Sequence, residues 1–378
     1  MKDLIINQPK KLILGENALN QLVDDINAMG LRRVFILTDP FVASNVLPVF
    51  GRLHAEVSSV KCSGGEPTFT DFDAIVTQAR AHKADCVVGI GGGSVLDLAK
   101  LVAALLHSKS QLNDVVGNGL IKKRTIPLIC MPTTSGAGSE SSPNAILIDD
   151  KDNSKKGIID QVLMPDSVYI DPHLISTLPP EVTAYTGLDA LTHCIEAYAN
   201  KHAHPVVDMY ALEGIRLISQ NLGTVIANGK DLNARTKVAL GSYYGGMCLG
   251  PVNTAAVHAL AYPLGTTYKI AHGLSNALLL PFVLEYNLSA APDRYANIAL
   301  AMGGDYGTSK HDRAMASIQL IRNFIKECGM PSHLSALEIS KDSIPQMAAD
   351  AMLIQRLLRN NVREVQLEDA ISIYQSAL

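Results

Sequence analysis

The sequence predicts an α/β domain built on a parallel sheet with helices on its faces, over residues 1–178, followed by an all-helical domain over residues 179–378. In the first half, short β-rich apolar runs alternate with stretches of helical periodicity, the pattern of a parallel sheet wrapped by its own crossovers. Pro179 and Pro180 then punctuate the chain, and almost everything beyond them repeats its apolar residues at helical spacing. The length, 378 residues, exceeds the roughly 100 to 200 of one domain, so two cores are expected.

Taken in order, the runs RRVFILTD (32–39), ADCVVGIGGG (84–93) and TIPLICMPTT (125–134) each place a few apolar residues before Gly, Asp or Thr, as buried strands do. Between them, TDFDAIVTQARAHK (70–83) and SVLDLAKLVAALLH (94–107) recur at helical spacing behind Thr, Ser or Asp caps. The second half reads as helices over EVTAYTGLDALTHCIEAYAN (181–200), HPVVDMYALEGIRLISQNL (204–222) and RAMASIQLIRNFIKECG (313–329). Ligands of such sheets sit beyond the carboxyl ends of the strands, and the cleft between the two halves is the expected site.

Composition narrows the function. With 47% hydrophobic and 18% charged residues, disorder is excluded. A net charge of -4, with no basic run beyond Lys122, Lys123 and Arg124, leaves no footprint for nucleic acid or an anionic membrane. Small-molecule partners are expected. The six cysteines are scattered without a C-x-x-C pair, giving neither a disulfide framework nor a thiolate zinc site. The N-terminal stretch lacks the apolar segment of an export signal, so a cytoplasmic location is expected. The uncharged run from Tyr243 to Tyr268 is interrupted by Pro251, Asn253, His258 and Pro263 and does not read as a membrane span.

Three features carry chemistry. The strand CVVGI runs through Gly91, Gly92, Gly93 and Ser94 straight into a helix, which leaves bare N–H groups at a helix N-terminus: either a phosphate cradle in a Rossmann-like domain or a tight structural turn. Asp39, ending the run VFILTD, is placed to accept hydrogen bonds from an adenosine ribose and to repel a 2′-phosphate, favouring NAD over NADP, or else to cap the helix behind Pro40. Thr133 and Thr134 open a hydroxyl- and glycine-rich loop that lines a pyrophosphate or nicotinamide or is simply a turn. The third feature is Asp189 and His193, four apart on one helical face, with His258 and His272 in apolar segments beyond. Three imidazoles and one carboxylate suit Fe or Zn better than Mg or Ca. Singly, a histidine in an apolar helix is more often a hydrogen-bonded core residue than a ligand, and Asp189 alone reads as a first-turn helix charge.

Together these motifs resemble the iron-containing alcohol dehydrogenase family, in which GGGS, TT-x-G-x-x-SE, G-x-DALTH-x-IEAY, H-A-x-A-x-PLG and HG-x-x-NA-x-LLP follow one another in this order. The resemblance spans nearly the whole chain and implies the two-domain plan of dehydroquinate synthase-like proteins. It also implies NAD, one divalent metal (Fe2+, with Zn2+ as the alternative), a small alcohol or aldehyde substrate and a homodimer. By matching motifs, Asp189, His193, His258 and His272 are the implied metal ligands. Asp39, Gly91, Gly92, Gly93, Ser94, Thr133 and Thr134 are the implied cofactor contacts, with Asp97, Thr68, Asn144 and Lys155 as further ones. Two departures stand out. Where many members carry a second His one turn after the ligand, this chain has Tyr262, which with His272 is the expected catalytic pair. Asn253, in CLGPVNTAAVH, either meets a polar substrate group or caps the next helix.

The implied activity is reversible, metal-assisted hydride transfer between a small primary alcohol, diol or hydroxy acid and NAD. A maleylacetate reductase-like activity is an alternative within the family. A sugar-phosphate cyclase or glycerol-1-phosphate dehydrogenase-like enzyme would need Lys or Arg beside the ligands, and residues 187–199 and 245–268 contain none.

Overall fold

A computed structural model describes residues 3–62, 64–304 and 309–378. The described chain divides between Thr177 and Leu178, with residues 3–5 belonging to the second unit. The first unit holds strands β1 (Lys11–Leu14), β2 (Arg33–Thr38), β3 (Glu56–Lys61), β4 (Cys86–Gly91), β5 (Gly117–Asn118), β6 (Leu128–Pro132), β7 (Asn144–Asp149), β8 (Ser154–Ile159) and β9 (Ser167–Ile170). Its helices are α1 (Ala18–Ala28), α2 (Pro40–Val46), α3 (Phe69–His82), α4 (Gly93–Leu105) and α5 (Pro172–Ile175).

Six strands form a sheet in the order β1-β9-β6-β4-β2-β3, every pair parallel. The sequence runs at 32–39, 84–93 and 125–134 supply its central strands, and these are buried almost throughout because both faces are covered. Side chains alternate across a strand, so one run feeds two cores. Phe35, Leu37 and Val87 pack with residues of α3 and α4, whereas Val34, Ile36, Val88, Ile90, Ile129 and Met131 pack with residues of α1 and α2. A second, three-stranded sheet, β5-β8-β7, contains the antiparallel β7/β8 hairpin, an element absent from the sequence expectation. Asn153, at φ 51 in the loop of that hairpin, takes the left-handed conformation that asparagine tolerates.

The second unit is helical: α6 (Pro180–Tyr198), α7 (Pro205–Ala227), α8 (Leu232–Leu249), α9 (Ala256–Tyr268), α10 (His272–Asn287), α11 (Pro292–Ala301), α12 (Lys310–Glu327), α13 (Ile344–Met352), α14 (Gln355–Leu358) and α15 (Leu367–Ala377). Pro180 opens α6 and Pro205 opens α7, where a missing N–H costs nothing. One apolar core runs through these helices. From Gly187 to Tyr198 every residue of α6 is buried, the mark of a central helix. Among the described residues all six cysteines are free and buried, and no helix is long and apolar enough to cross a membrane.

Candidate metal centre and cofactor loop

The residues Asp189 and His193 project from one face of α6, and α9 and α10 bring His258 and His272 to the same point. Asp189 Oδ1 lies 3.5 Å from His258 Nε2, 3.8 Å from His272 Nε2 and 4.0 Å from His193 Nε2. The donor atoms of Asp189, His258 and His272 all fall within 4.8 Å of one another, and the His193 ring stacks on that of His258 at 4.7 Å. Donors at about 2.1 Å from a tetrahedral ion stand roughly 3.4 Å apart, so the spacings of Asp189, His258 and His272 suit one ion, and His193, 4.0 Å from Asp189 Oδ1, stands outside that compact group. A carboxylate with imidazoles is a donor set that suits Fe or Zn better than Mg or Ca. Three of the four side chains are almost fully buried, while that of His272 is 32% exposed and marks the open side.

Around the ligands stands a shell that the sequence reading passed over. Glu196, seven residues after Asp189 on α6, accepts from His258 Nδ1 at 2.6 Å and from the Val257 amide at 2.6 Å. With its Nδ1 proton committed there, the His258 ring is oriented so that Nε2 faces Asp189 Oδ1. Burial alone would lower the His258 pKa, but the carboxylates of Glu196 and Asp189 outweigh it and hold the pKa up at about 9. Burial likewise pushes Asp189 up, yet the imidazoles of His193, His272 and His258 hold it well below the usual carboxylate range. Asn276, fully buried one turn into α10, donates from Nδ2 to Asp189 Oδ1 at 2.7 Å. The same nitrogen lies 3.1 and 3.3 Å from the Nε2 atoms of His258 and His272. Its signal was its place four residues after His272 on an apolar helix, and Glu196 was visible as a second acid, beyond Asp189, in the buried stretch of α6.

Gly273 explains why a glycine must follow His272. A Cβ there would run into the carbonyl of Tyr185 and sit 3.2 Å from Asp189 Cβ. Only a residue without a side chain lets the start of α10 press against α6 closely enough to join the two ligands.

In the first unit, Gly91 ends β4, Gly92 is the N-cap of α4, and Gly93 and Ser94 form its first turn. A Cβ on Gly91 would lie 2.6 Å from Val95, and one on Gly93 2.7 Å from Ala137, so the loop can close only with glycine. Asp39, Gly91, Gly92, Gly93, Ser94, Thr133 and Thr134 gather at the carboxyl ends of β2, β4 and β6, with the Thr133 amide bonded to Gly91 O. Asp39 caps α2 through Phe41 N, and Thr68 caps α3 through Asp71 N. Thr68 also bridges Ile148, whose partner across β7/β8 is Lys155, so these two residues share one corner; Lys155 ion-pairs with Glu66. The Asp97 carboxylate is turned inward, taking Ser139 Oγ at 2.5 Å and the Ile146 amide at 2.9 Å. Beside it, fully buried Lys100 donates to the Asn144 carbonyl at 2.6 Å. Both therefore fix the loop after β6 from inside.

Glu140, in the same loop, is buried, and burial pushes its carboxyl from 4.5 up to about 7. Between these two values the folded chain holds a proton that the unfolded chain has released, so stability falls as pH rises through this window. Glu140→Gln, which cannot ionise, is expected to remove that fall and to gain on the order of 3 kcal/mol above pH 7. Denaturant midpoints of the two chains would then converge toward pH 4.5 and separate toward pH 7.

Comparison with known proteins agrees with the geometry. Residues 9–172 match the family of iron-containing alcohol dehydrogenases, and residues 183–378 match the C-terminal part of the same Fe-containing family. The chain belongs to the iron-containing alcohol dehydrogenase family. Long-chain-alcohol dehydrogenase 1 of Geobacillus thermodenitrificans is 36% identical to the enzyme over 96% of this chain and 94% of its own. A solved 1,3-propanediol oxidoreductase superposes with a TM-score of 0.96 at 30% identity, each chain covered in full. The NAD+ complex of sulfoacetaldehyde reductase from Bifidobacterium kashiwanohense superposes at 0.90 with 25% identity, covering 100% of this chain and 99% of that one. NAD and iron are the cofactors of the family.

In the enzyme, α9 stays helical through Pro263, which sets Tyr262 one turn after His258 with its ring 6.1 Å from that of His272. The Tyr262 hydroxyl accepts from Arg356 Nη2 at 2.7 Å. Arg356 is the basic residue missing from the ligand-bearing segments, and it arrives from α14. Asn253 turns its side chain back onto the Thr254 amide at 2.8 Å from a left-handed backbone, two residues short of the α9 N-cap Ala255.

Proposed function

We propose that the enzyme catalyses the reversible oxidation of a small primary alcohol, diol or hydroxy acid by NAD, giving the aldehyde or ketone, NADH and a proton. The observation that carries this reading is the convergence of Asp189, His193, His258 and His272 in a setting with few other charged groups. A divalent ion held there supplies Lewis-acid polarisation of the alcohol oxygen, and NAD accepts the hydride. The protein's share is positioning. Asp189 brings the compensating negative charge, Glu196 orients His258, and Asn276 fixes the Asp189 oxygen. On the open side, Tyr262, its ring 6.1 Å from that of His272, is the group proposed to exchange the hydroxyl proton. The glycine turn, Asp39, Thr133 and Thr134 are proposed to hold the dinucleotide, with Thr68, Asp97, Asn144 and Lys155 shaping the rest of that surface. We extend the proposal to a homodimer working in the cytoplasm, on the strength of the sequence resemblance.

The test is reconstitution. Protein stripped with a chelator and reloaded with Fe or Zn is expected to form NADH from members of a panel of short alcohols, diols and hydroxy acids, and the stripped protein is not. Tight binding of metal and NAD without NADH from any alcohol would sink the reading.

A further inference from the structure

On the side of the metal centre marked open by His272 stands a guanidinium that no carboxylate of the described residues pairs with. Tyr262 stands beside His272, and Arg356 stands on Tyr262, its Nη2 bonded to the phenol oxygen and its guanidinium carbon 5.7 Å from the ring centroid. No carboxylate of the described residues comes within 4.0 Å of that guanidinium. Arginine in a folded chain keeps its proton, and its planar fork matches a carboxylate or sulfonate in two parallel hydrogen bonds. A phenol oxygen engages one of the five N–H donors and none of the charge.

The backbone that carries Arg356 is held in place. Asn360, buried at the end of this segment, donates to the Thr254 carbonyl at 2.8 Å and lies 3.3 Å from the Arg356 carbonyl, tying α14 to the entry of α9. The Lys201 amide bonds to Asn360 O, and Asn361 bridges Asn200, which fastens the same segment to the end of α6. Both anchors reach the segments that flank α6 and α9, which bear the proposed metal ligands, so the cation is fixed relative to the centre. Such a group is pre-organised for an anion, with little ordering left for binding to impose.

We propose that Arg356, positioned by Tyr262, anchors an anionic group at the far end of the substrate, so that the enzyme prefers ω-hydroxy acids or ω-hydroxysulfonates and their aldehydes to neutral alcohols of the same length. This rests on the dehydrogenase reading above and names the substrate class of that site. Arg356 is a specificity residue here, and no bond is made or broken at it.

The metal-loaded enzyme, Arg356→Gln and Arg356→Lys are compared on matched pairs of two to six carbons, such as 4-hydroxybutyrate against 1,4-butanediol and 2-hydroxyethanesulfonate against ethylene glycol. Metal content is measured on each protein. The ratio of kcat/KM for the anionic over the neutral member is expected to exceed one in the wild type and to fall by roughly 10- to 100-fold in Arg356→Gln, chiefly through KM. Arg356→Lys should restore part of it, and the carboxylate and sulfonate arms show which anion fits. Butyrate binding to the loaded protein, which needs no turnover, should weaken by a similar factor. A ratio at or below one, or the same ratio and the same butyrate affinity in Arg356→Gln, overturns the anchor. Failure of the dehydrogenase reading looks different: no alcohol yields NADH, while butyrate binding still decides the role of Arg356.

Discussion

Asp189→Ala is expected to leave a folded chain that neither retains its metal nor forms NADH. Asp189 is the anionic member of the four proposed ligands, and its Oδ1 is the atom around which the Nε2 atoms of His193, His258 and His272 gather. Without it, three imidazoles face a divalent cation in a buried site with no ligand carboxylate to balance the charge. Losing one partner of a buried charge pair costs roughly 3 to 5 kcal/mol, which is about a thousandfold in metal affinity. The fold should persist, because the core around α6 is made by Leu188, Leu191, Cys194 and Ile195 rather than by the ligands. Metal content after gel filtration, chelator competition and NADH formation measure the effect directly. Retention of metal at wild-type affinity would remove Asp189 from the ligand set.

The contrast between what could and could not be read from the sequence follows the range of the interactions. The central strands were legible because burial on both faces demands unbroken apolar runs, and α3, α4, α6, α7 and α12 because a helix repeats its pattern within a few turns. The pairing of Asp189 with His193 lies inside one helix and needs only helical geometry. The union of those two with His258 and His272 was supplied by resemblance, since it depends on how α9 and α10 pack on α6. The β7/β8 hairpin escaped notice because it follows a glycine- and serine-rich loop and is a strand pair beside the main sheet. Arg356 was beyond reach for a stronger reason: 94 residues separate it from Tyr262, and nothing in the short α14 segment distinguishes it from a surface charge. Its absence from the ligand-bearing segments was true of the sequence and misleading about the space.

Glu196 makes the same point with a larger consequence. Glu196→Ala would leave both His258 Nδ1 and the Val257 amide facing a cavity, two buried donors stripped of the one carboxylate that serves them. The expected loss of stability is about 3 to 5 kcal/mol, the cost of breaking a buried charged pair. Metal affinity should also fall by roughly 10- to 100-fold, because nothing then fixes the tautomer and tilt of the His258 ring. Glu196→Gln separates the two effects. An amide keeps one oxygen for either donor but turns its nitrogen toward the other, so folding should recover in part while the imidazole still lacks its charged partner. Thermal midpoints of the metal-free proteins and chelator competition on the loaded ones measure the two quantities independently. Stability lost with metal affinity intact would make Glu196 a packing residue of α6 and α9. A joint loss, only half restored by glutamine, would place it in the chain of contacts that aims His258 at the ion.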